Sequence, residues 1–312
     1  MIVVCEKCRS RLRLSESDLN NAPPKLPVRC SRCRHSFTIT LPDSLPRNQP
    51  VNLPLADETT HNSATIVITN QKGGVAKTST CLNLGLSLSL MKKSVLLIDF
   101  DMQANLTLSL GYQKTSSFYD VFQNGWQKLD SALIQTPYPG LWLLPSNKNM
   151  VLLSKKCFGG KDYEFILKSH LSQVQDRFDY IIIDTPPSIE FFTINALSAS
   201  HLAIIPTQCD YLSVHGVEQV LSFINLIRKK TNPDMKARIL VTMYDEASTA
   251  SRMIFGKLRD LYPERLFQTA IPHDNRLREA QIMNLPVINY DQASCSGLQY
   301  LALAREILNP LP

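Results

Sequence analysis

The sequence predicts a doubly wound α/β fold with a mostly parallel sheet, preceded by a small cysteine-rich domain. From Ala64 onward, short apolar runs alternate with stretches of helical pattern, and most runs are apolar on both faces. A parallel strand needs such a sequence because helices cover both of its faces. The runs are TIVIT (65–69), SVLLIDF (94–100), LWLLP (141–145), YIIIDTP (180–186), HLAIIP (201–206), RILVTMY (238–244), FQTAIP (267–272) and PVINY (286–290).

Three zones divide the chain. Residues 1–40 hold two tight cysteine pairs, and residues 41–63 are proline-rich without apolar periodicity, which is typical of an extended linker. Residues 64–312 form the predicted α/β domain. No apolar run reaches the roughly 18 residues of a membrane span, and the N-terminus lacks the apolar core of a signal peptide. We therefore expect a cytoplasmic protein.

The positive charge is unevenly distributed. The net charge is +6, and residues 1–40 alone hold eight Lys or Arg against three Asp or Glu. Residues 228–280 hold eleven basic and seven acidic residues. This pattern predicts local basic surfaces rather than a protein that is basic throughout.

A phosphate-binding loop is predicted directly after the first strand. Residues 70–79 read NQKGGVAKTS and lead into the helical stretch CLNLGLSLSL. Glycines allow backbone N–H groups to turn inward toward phosphates, and a helix N-terminus behind them favours anions. Lys77 would bridge the β- and γ-phosphates, and the hydroxyl of Thr78 would ligate Mg²⁺. The predicted ATP-binding residues of the loop are Lys72, Gly73, Gly74, Val75, Ala76, Lys77, Thr78 and Ser79.

Three aspartates end predicted strands at the sheet edge where doubly wound folds bind ligands. Asp184 follows the apolar run YIII and is a candidate to hold Mg²⁺ through water; the alternative is a helix N-cap, which Pro186 fits poorly. Asp99 and Asp101 are two residues apart, so they point to the same side of their strand. Capping of the following loop is the alternative for either of them.

The loop resembles the deviant Walker A motif of the ParA/MinD superfamily, whose mark is an extra lysine at the start. Lys72 stands at that position in KGGVAKTS. The usual G-x-x-x-x-G-K-[ST] pattern is not met, because Gln71 and Ala76 stand at its two glycine positions. Alanine is a small change from glycine, so we expect nucleotide binding to survive it.

The resemblance continues in register along nearly all of residues 64–312. The second motif of the family, commonly LLIDxDPQGNAT, is similar to LLIDFDMQANLT, with Met102 for proline and Ala104 for glycine. The Walker B segment of the family is similar to YIIIDTPPS. Its base-binding segment is similar to IPTQCDYLSVHGVEQV, and its closing motif is similar to AIPHDNRLREAQIMNLPVINYD. Such an ordered series is highly specific for the family.

This resemblance implies a P-loop NTPase fold and weak ATP hydrolase activity. It implies that Asp101 positions the attacking water, that Asp99 lies in the shell around Mg²⁺ with Thr78 and Asp184, and that Lys72 reaches the phosphates of a partner protomer. Pro206 and Gln208 fall in the base-binding segment. ATP would hold a homodimer together until hydrolysis, which a ParB-like or cargo adaptor protein would stimulate.

Members of the superfamily bind either membranes or DNA. The MinD branch ends in a basic amphipathic helix, whereas the last predicted helix here carries only Arg305 and Glu306 as charges, so no membrane partner is expected. The ParA branch binds DNA non-specifically as the ATP dimer. Residues 228–230 alternatively form a solvated helix end, and Ala247 stands where ParA proteins often have an arginine. The DNA-contact candidates are Arg228, Lys229, Lys230, Arg252, Lys257, Arg276 and Arg278.

The N-terminal cysteines predict a zinc site. The pairs Cys5/Cys8 and Cys30/Cys33 each have CxxC spacing and are separated by 21 residues, as in four-cysteine zinc ribbons. The segment also resembles a short bacterial zinc ribbon. Two disulfides are the alternative, which a cytoplasmic location disfavours. The ribbon would bind nucleic acid or a protein partner, and the sequence leaves both open.

The sequence favours an ATP-dependent switch that segregates a chromosome or plasmid, or positions a protein cargo, on the nucleoid. A MinD-like regulator of division or flagella is one alternative. Another is a metal carrier like the nitrogenase iron protein, but Cys157 and Cys209 do not form the cysteine set that it needs. A non-catalytic module is disfavoured because the predicted phosphate and magnesium residues are all present.

Overall fold

The computed structural model describes residues 2–4, 7–8, 11–13, 25–40, 63–125, 128–211 and 213–309. The chain separates into two compact units, Met1–Leu53 and Pro54–Pro312. Apart from residue 63, the predicted linker lies outside the described residues. None of the helices in the described part of the chain has both the length and the apolar character needed to cross a membrane.

The described part of the N-terminal unit contains two antiparallel strand pairs. Strand β1 (Ile2–Val4) pairs with β2 (Arg11–Arg13), and β3 (Lys25–Arg29) pairs with β4 (Ser36–Thr40). Register in the second pair sets Val28 opposite Phe37, and both side chains are buried. A unit of this size has a small core.

A seven-stranded sheet forms the centre of the larger unit. Its order is β11-β10-β5-β9-β6-β8-β7, and neighbouring strands are parallel except for β7 with β8. The central strands are almost wholly buried because helices cover both faces of the sheet. The strands are β5 (Ala64–Ile68), β6 (Val95–Asp99), β7 (Ile134–Gln135), β8 (Leu141–Leu144), β9 (Tyr180–Asp184), β10 (Leu202–Thr207) and β11 (Lys236–Val241).

Helices follow most strands, as crossover connections between parallel strands require. In chain order they are α1 (Lys77–Leu90), α2 (Asn105–Ser109), α3 (Phe118–Gln123), α4 (Met150–Cys157), α5 (Ile166–Leu171), α6 (Phe191–Ala199), α7 (Ser213–Thr231), α8 (Thr249–Leu261), α9 (Asn275–Ile282), α10 (Val287–Tyr290) and α11 (Cys295–Leu308). Helix α1 is buried along most of its length. Helix α11 buries Tyr300, Leu303 and Ala304 in the core, which agrees with a packing role for the last predicted helix.

Six of the eight predicted strands are confirmed, and the last two predictions are wrong. Residues 267–272 bond to the β11 edge at both ends, but the N–H groups of Gln268 and Thr269 donate to the Glu306 carboxylate instead, at 3.0 and 3.1 Å. Residues 287–290 of the other segment form α10, whose first N–H group, on Val287, donates to Asn83 Oδ1 at 2.8 Å. In the first segment Glu306 takes two hydrogen bonds that a strand would need, and in the second Asn83 caps the start of a helix. The two-residue strand β7 was not predicted.

The sheet places the candidate site at one edge. Because β5, β6, β9 and β10 are parallel, their carboxyl ends meet on the same side. Register pairs Asp99 of β6 with Asp184 of β9, and Asp184 in turn with Ile68 of β5. The loop after β5 therefore begins next to two carboxylates, as ligand sites in open α/β sheets require.

Candidate nucleotide site

The predicted phosphate loop adopts an open, left-handed turn before α1. Gly74 has φ of 74° and Ala76 has φ of 64°. Among the described residues, nothing lies within 4 Å of the place that a Cβ would take on Gly73 or Gly74. The loop therefore leaves space for a ligand against its backbone. Ala76 keeps the conformation for which the usual motif has glycine, at a cost of about 1–2 kcal/mol.

Side chains from neighbouring strand ends hold this loop. Asn70 donates from Nδ2 to the Pro206 carbonyl at 2.7 Å and accepts the Lys72 N–H at 3.0 Å, an Asx turn. Gln208 Nε2 donates to the Gly74 carbonyl at 2.9 Å. Pro206 and Gln208, predicted near the base, thus contact the loop itself.

Two further side chains fix the ends of the loop. Thr242 Oγ1 donates to the Val75 carbonyl at 3.2 Å. Ser79 Oγ accepts a hydrogen bond from Gln281 Nε2 of α9 at 2.7 Å. The sequence analysis missed Asn70, although an asparagine between a strand and a glycine turn is itself an indication of an Asx turn. No sequence pattern indicates Thr242.

Lys77 and Thr78 begin α1 and lie beside the carboxylates. Thr78 Oγ1 donates to Asp184 Oδ2 at 2.7 Å, and Lys77 Nζ donates to the Lys72 carbonyl at 3.1 Å. Burial lowers the pKa of Lys77, while the charges of Asp184 and Asp101 act in the opposite direction. The ammonium thus lies between the loop and two acids.

Asp184 is buried with one carboxylate oxygen unsatisfied. Its side chain is 1% exposed, and Oδ1 has no hydrogen-bond partner among the described residues. Burial and the neighbouring Asp99 raise the pKa of Asp184 well above its ordinary value. A buried oxygen of this kind needs a partner, and a hard cation beside Thr78 Oγ1 and this oxygen would supply one. The residues present therefore fit Mg²⁺.

Asp99 is held by the segment that follows its strand. Its Oδ2 accepts hydrogen bonds from the N–H and the hydroxyl of Thr107 at 2.8 and 2.7 Å, and its Oδ1 accepts the Asp101 N–H at 3.2 Å. Burial raises the pKa of Asp99 to about 6 against these hydrogen bonds. Both oxygens are thus engaged in the loop-capping arrangement that the sequence left open as an alternative.

Asp101 is more available than Asp99. Its Oδ1 accepts the Gln103 N–H at 3.0 Å, and its backbone carbonyl accepts the Ser146 hydroxyl at 2.6 Å. The side chain is 6% exposed, and burial raises its pKa. The backbone of this turn is fixed, which holds the Asp101 carboxylate within electrostatic reach of Lys77.

Lys72 forms an ion pair with Asp210 of its own chain. The two side chains are 46% and 40% exposed. Asp210 lies just before α7 and accepts the Ser213 hydroxyl at 2.8 Å. The lysine that marks the family motif is therefore bound in cis, a contact that the sequence did not indicate.

The predicted DNA-contact residues do not all present free charge. Arg276 pairs with Glu279 at 2.8 Å and Asp291 at 3.3 Å. Arg252 donates to the carbonyls of Glu246 and Ala247 at 2.7 and 3.2 Å. Arg228 donates to the Pro233 carbonyl at 3.0 Å, closing the end of α7. Lys229, Lys230, Lys257 and Arg278 are exposed and form no ion pair within the described part of the chain.

Three of the four predicted zinc ligands come together in the N-terminal unit. The sulfur atoms of Cys8, Cys30 and Cys33 lie within 4.8 Å of one another, and those of Cys8 and Cys30 are 3.6 Å apart. The Cys30 N–H donates to the His35 carbonyl at 2.8 Å, which folds the segment around the second pair into a tight turn. Cys5 lies outside the described residues.

Comparison with known proteins agrees with this geometry. Residues 63–237 match a family model described as an AAA domain. The chain is 36% identical over 246 residues to the sporulation initiation inhibitor protein Soj of Bacillus subtilis, covering 78% of this chain and 97% of the relative. It is 35% identical over 246 residues to the chromosome-partitioning ATPase Soj of Treponema pallidum, covering 78% and 96%.

A solved structure shares both the fold and much of the sequence. Cobyrinic acid a,c-diamide synthase from Mycobacterium smegmatis, in a crystal structure with a bound ATP analogue and magnesium, is 33% identical. The match has a TM-score of 0.69 and covers 79% of this chain and 94% of that one. The family model spans more than half of the chain, and the Soj proteins match over nearly their whole length. The chain therefore belongs to the ParA/MinD superfamily of P-loop ATPases, as its motifs predicted.

Proposed function

We propose that this chain is an ATP hydrolase of the ParA type that works as an ATP-dependent dimerising switch. It would segregate a chromosome or plasmid, or position a protein cargo, on the nucleoid. The Soj relatives, one of them named a chromosome-partitioning ATPase, support this function. The observation that carries the proposal is the buried Asp184 carboxylate at the end of the strand next to β5. It accepts a hydrogen bond from Thr78 at the start of α1, and its second oxygen has no partner among the described residues.

Magnesium would be held between Thr78 and Asp184. The hydroxyl of Thr78 would give up its hydrogen bond to Asp184 and ligate the cation directly, and Asp184 would bind the same cation through a water molecule. When bound, Mg²⁺ supplies charge neutralisation at the β- and γ-phosphates. Asp99, whose oxygens already accept hydrogen bonds from Thr107 and Asp101, would fix the turn that carries Asp101.

The remaining groups of the site would act on the phosphates and the attacking water. The N–H groups from Gly73 to Ser79 and the ammonium of Lys77 would bind the phosphate oxygens. Asp101 would orient the water for attack on the γ-phosphorus, and Pro206 and Gln208 would line the side of the base. With little else to accelerate the reaction, turnover would be slow until a ParB-like or cargo adaptor protein stimulates it.

Lys72 would exchange partners when the dimer forms. In the free chain it pairs with Asp210, and in the dimer it would reach the triphosphate of the other protomer as a charge clamp. Both side chains are about half exposed, so this pair contributes little on its own. The cis pair is therefore easily broken, and it would only bias Lys72 away from the phosphates until a second protomer arrives.

Non-specific DNA binding by the ATP dimer would use exposed lysines and arginines. Lys229, Lys230, Lys257 and Arg278 are the best supported of the predicted contacts because no described acid neutralises them. Contacts to phosphates are independent of sequence and sensitive to salt. A protein that uses such contacts would associate with the whole nucleoid.

The N-terminal unit would bind Zn²⁺ through Cys5, Cys8, Cys30 and Cys33. The clustered sulfur atoms of the last three support this assignment. Metal would then be the main stabiliser of a unit with so small a core. Cys33→Ser should lose one zinc per chain by mass spectrometry, whereas Cys157→Ser, outside this unit, should keep it. Equal zinc in both variants would exclude this site.

The proposed switch is tested by measuring the oligomeric state and the DNA binding of the chain with ATP and with ADP. With Mg²⁺ and ATP, sedimentation should show a dimer that binds duplex DNA, and with ADP a monomer. Lys72→Ala should stay monomeric with ATP, while the exposed Lys161→Ala serves as a charge-matched control. A chain that takes up ATP and remains monomeric at every concentration would contradict the proposal.

A further inference from the structure

The β3–β4 hairpin exposes a set of side chains that all donate hydrogen bonds. They are Arg29, Arg32, Arg34, Ser36 and Thr38, and we call them the hairpin face. The register pairs Arg29 with Ser36, and alternation along the strands puts Val28 and Phe37 on the opposite, buried side. Pro27, which pairs with Thr38, is also exposed on this side. The face is thus a mostly polar surface with one small apolar ring.

The arginines of the hairpin face lie near one another. Arg29 donates from Nε to the Arg34 carbonyl at 3.4 Å, so its guanidinium lies against the turn that carries Arg32 and Arg34. That turn is fixed by two backbone hydrogen bonds between Cys30 and residues 34 and 35, at 2.9 and 2.8 Å. Arg32 and Arg34 are therefore presented from a tight turn, and Arg29 from the paired end of β3 beside it.

No acid balances these charges within the hairpin. Residues 25–40 contain four Lys or Arg and no Asp or Glu. In the described part of the chain, none of the three arginines forms an ion pair. Like charges held close together repel one another, and a polyanion laid across the face would relieve that repulsion.

We propose that the hairpin face binds duplex DNA through its backbone phosphates. Arginine, serine and threonine side chains are the groups that contact DNA phosphates most often. A surface that binds a protein partner usually has an apolar or aromatic anchor residue. A surface that binds single-stranded DNA usually has an exposed aromatic ring on which bases stack. Phe37, the aromatic residue of the hairpin strands, is only 8% exposed. Pro27 is the exposed apolar residue among the described side chains of the face, and it is too small for a hot-spot anchor or a stacking platform.

This DNA contact differs from the one proposed for the ATP dimer. It belongs to the N-terminal unit and needs no second protomer, so it should operate in every nucleotide state. It would keep the chain near DNA after hydrolysis has separated the dimer. Because three phosphates at most are neutralised, the contact is weak and strongly dependent on salt.

The test compares two triple variants of the full chain in Mg²⁺ and ADP, where the ATP dimer is absent. One is R29Q/R32Q/R34Q, and the control is K114Q/K148Q/K161Q, which removes three exposed charges elsewhere. Binding to labelled duplex DNA is measured between about 50 and 200 mM salt. The hairpin variant should bind less tightly than the parent, and the slope of log K against log salt should shrink by about 0.9 for each lost phosphate contact, up to about 3. The control should match the parent.

Three results would overturn the proposal. In the first, the hairpin variant keeps the affinity and salt slope of the parent. In the second, both variants lose affinity equally, which would show that binding depends on net charge alone. In the third, an acidic peptide or single-stranded DNA of equal charge binds the parent as tightly as the duplex does. Zinc is measured in the same samples: if R29Q/R32Q/R34Q loses zinc, single substitutions that retain it replace the triple variant. Because dimerisation is measured separately with ATP, failure here leaves the proposed switch intact, and the reverse also holds.

Discussion

Replacing Asp210 by asparagine tests whether the cis ion pair with Lys72 opposes dimerisation. Asparagine keeps the shape of the side chain and can still accept the Ser213 hydroxyl, but it removes the charge that holds the Lys72 ammonium. In the free chain, Lys72 should then be unpaired and ready for the partner's phosphates. We expect Asp210→Asn to dimerise with ATP at lower protein concentration than the parent.

The size of the effect follows from the exposure of the pair. With side chains 46% and 40% exposed, the interaction falls among surface ion pairs that contribute about 0.2–1 kcal/mol. A two-fold dimer breaks two such pairs, which gives about 0.4–2 kcal/mol. The dimer should therefore be about 2- to 30-fold tighter. The gain should diminish at high salt, because exposed charges are screened.

Sedimentation equilibrium with Mg²⁺ and a slowly hydrolysed ATP analogue gives the dimer dissociation constant directly. Asp176→Asn serves as the control, since Asp176 is an exposed acid away from the site. A dissociation constant for Asp210→Asn that equals or exceeds that of the parent would refute the reasoning. It would show that Asp210 does not oppose the dimer, or that it stabilises the dimer as well.

Three further substitutions test the site. Asp101→Ala should bind ATP and remain dimeric and DNA-bound while ATP hydrolysis is lost; hydrolysis at the parental rate would exclude the role given to Asp101. Ala76→Gly should remove about 1–2 kcal/mol of left-handed strain and lose about 0.4–1 kcal/mol through a looser unfolded chain. The net gain is about 0–1.6 kcal/mol, so without nucleotide the variant should melt up to about 6 °C higher, and a lower melting temperature would contradict this. Burial raises the pKa of Asp99 from 3.8 to about 6, so the stability contributed by its neutral form is present below the lower value and is lost as the pH rises through the higher one. Asp99→Asn is always neutral, so its melting temperature should rise relative to that of the parent between about pH 4 and pH 6 and keep a constant difference at higher pH. A pH-independent difference across that window would count against a raised pKa.

The sheet was predictable because its strands are buried on both faces. Runs such as YIII before Asp184 are apolar at every position, which is the pattern that a covered parallel strand requires. Residues 267–272 and 286–290 satisfy the same local rule but are taken out of the sheet by Glu306 and Asn83. Competition from side chains so far away in sequence is not visible in a local pattern.

The candidate site was predictable in its residue types but not in its contacts. The spacing of Lys77 and Thr78 after a strand, and of acids at strand ends, follows from what phosphates and Mg²⁺ require. The hydrogen bond from Thr242 to the Val75 carbonyl depends on tertiary geometry, because the two residues are 167 positions apart in the sequence. The same holds for Lys72 and Asp210, which are separated by 138 residues.

The free chain carries unfavourable features at this edge of the sheet that nucleotide and cation would offset. Ala76 and Ala104 both replace glycines of the family motifs, and both adopt left-handed conformations, at φ of 64° and 55°, directly before helices α1 and α2. Asp184 is buried with an unsatisfied oxygen, which costs roughly 1–3 kcal/mol. Ligand binding would satisfy the Asp184 oxygen but would not remove the backbone strain at Ala76 and Ala104. The free-energy cost of the strain is therefore the same with and without ligand, whereas the cost of the unsatisfied oxygen is removed when ligand binds. Stabilisation of the fold by Mg²⁺ and ATP should therefore depend on Asp184, and Ala76→Gly should add to it independently, because it changes a cost that is the same with and without ligand.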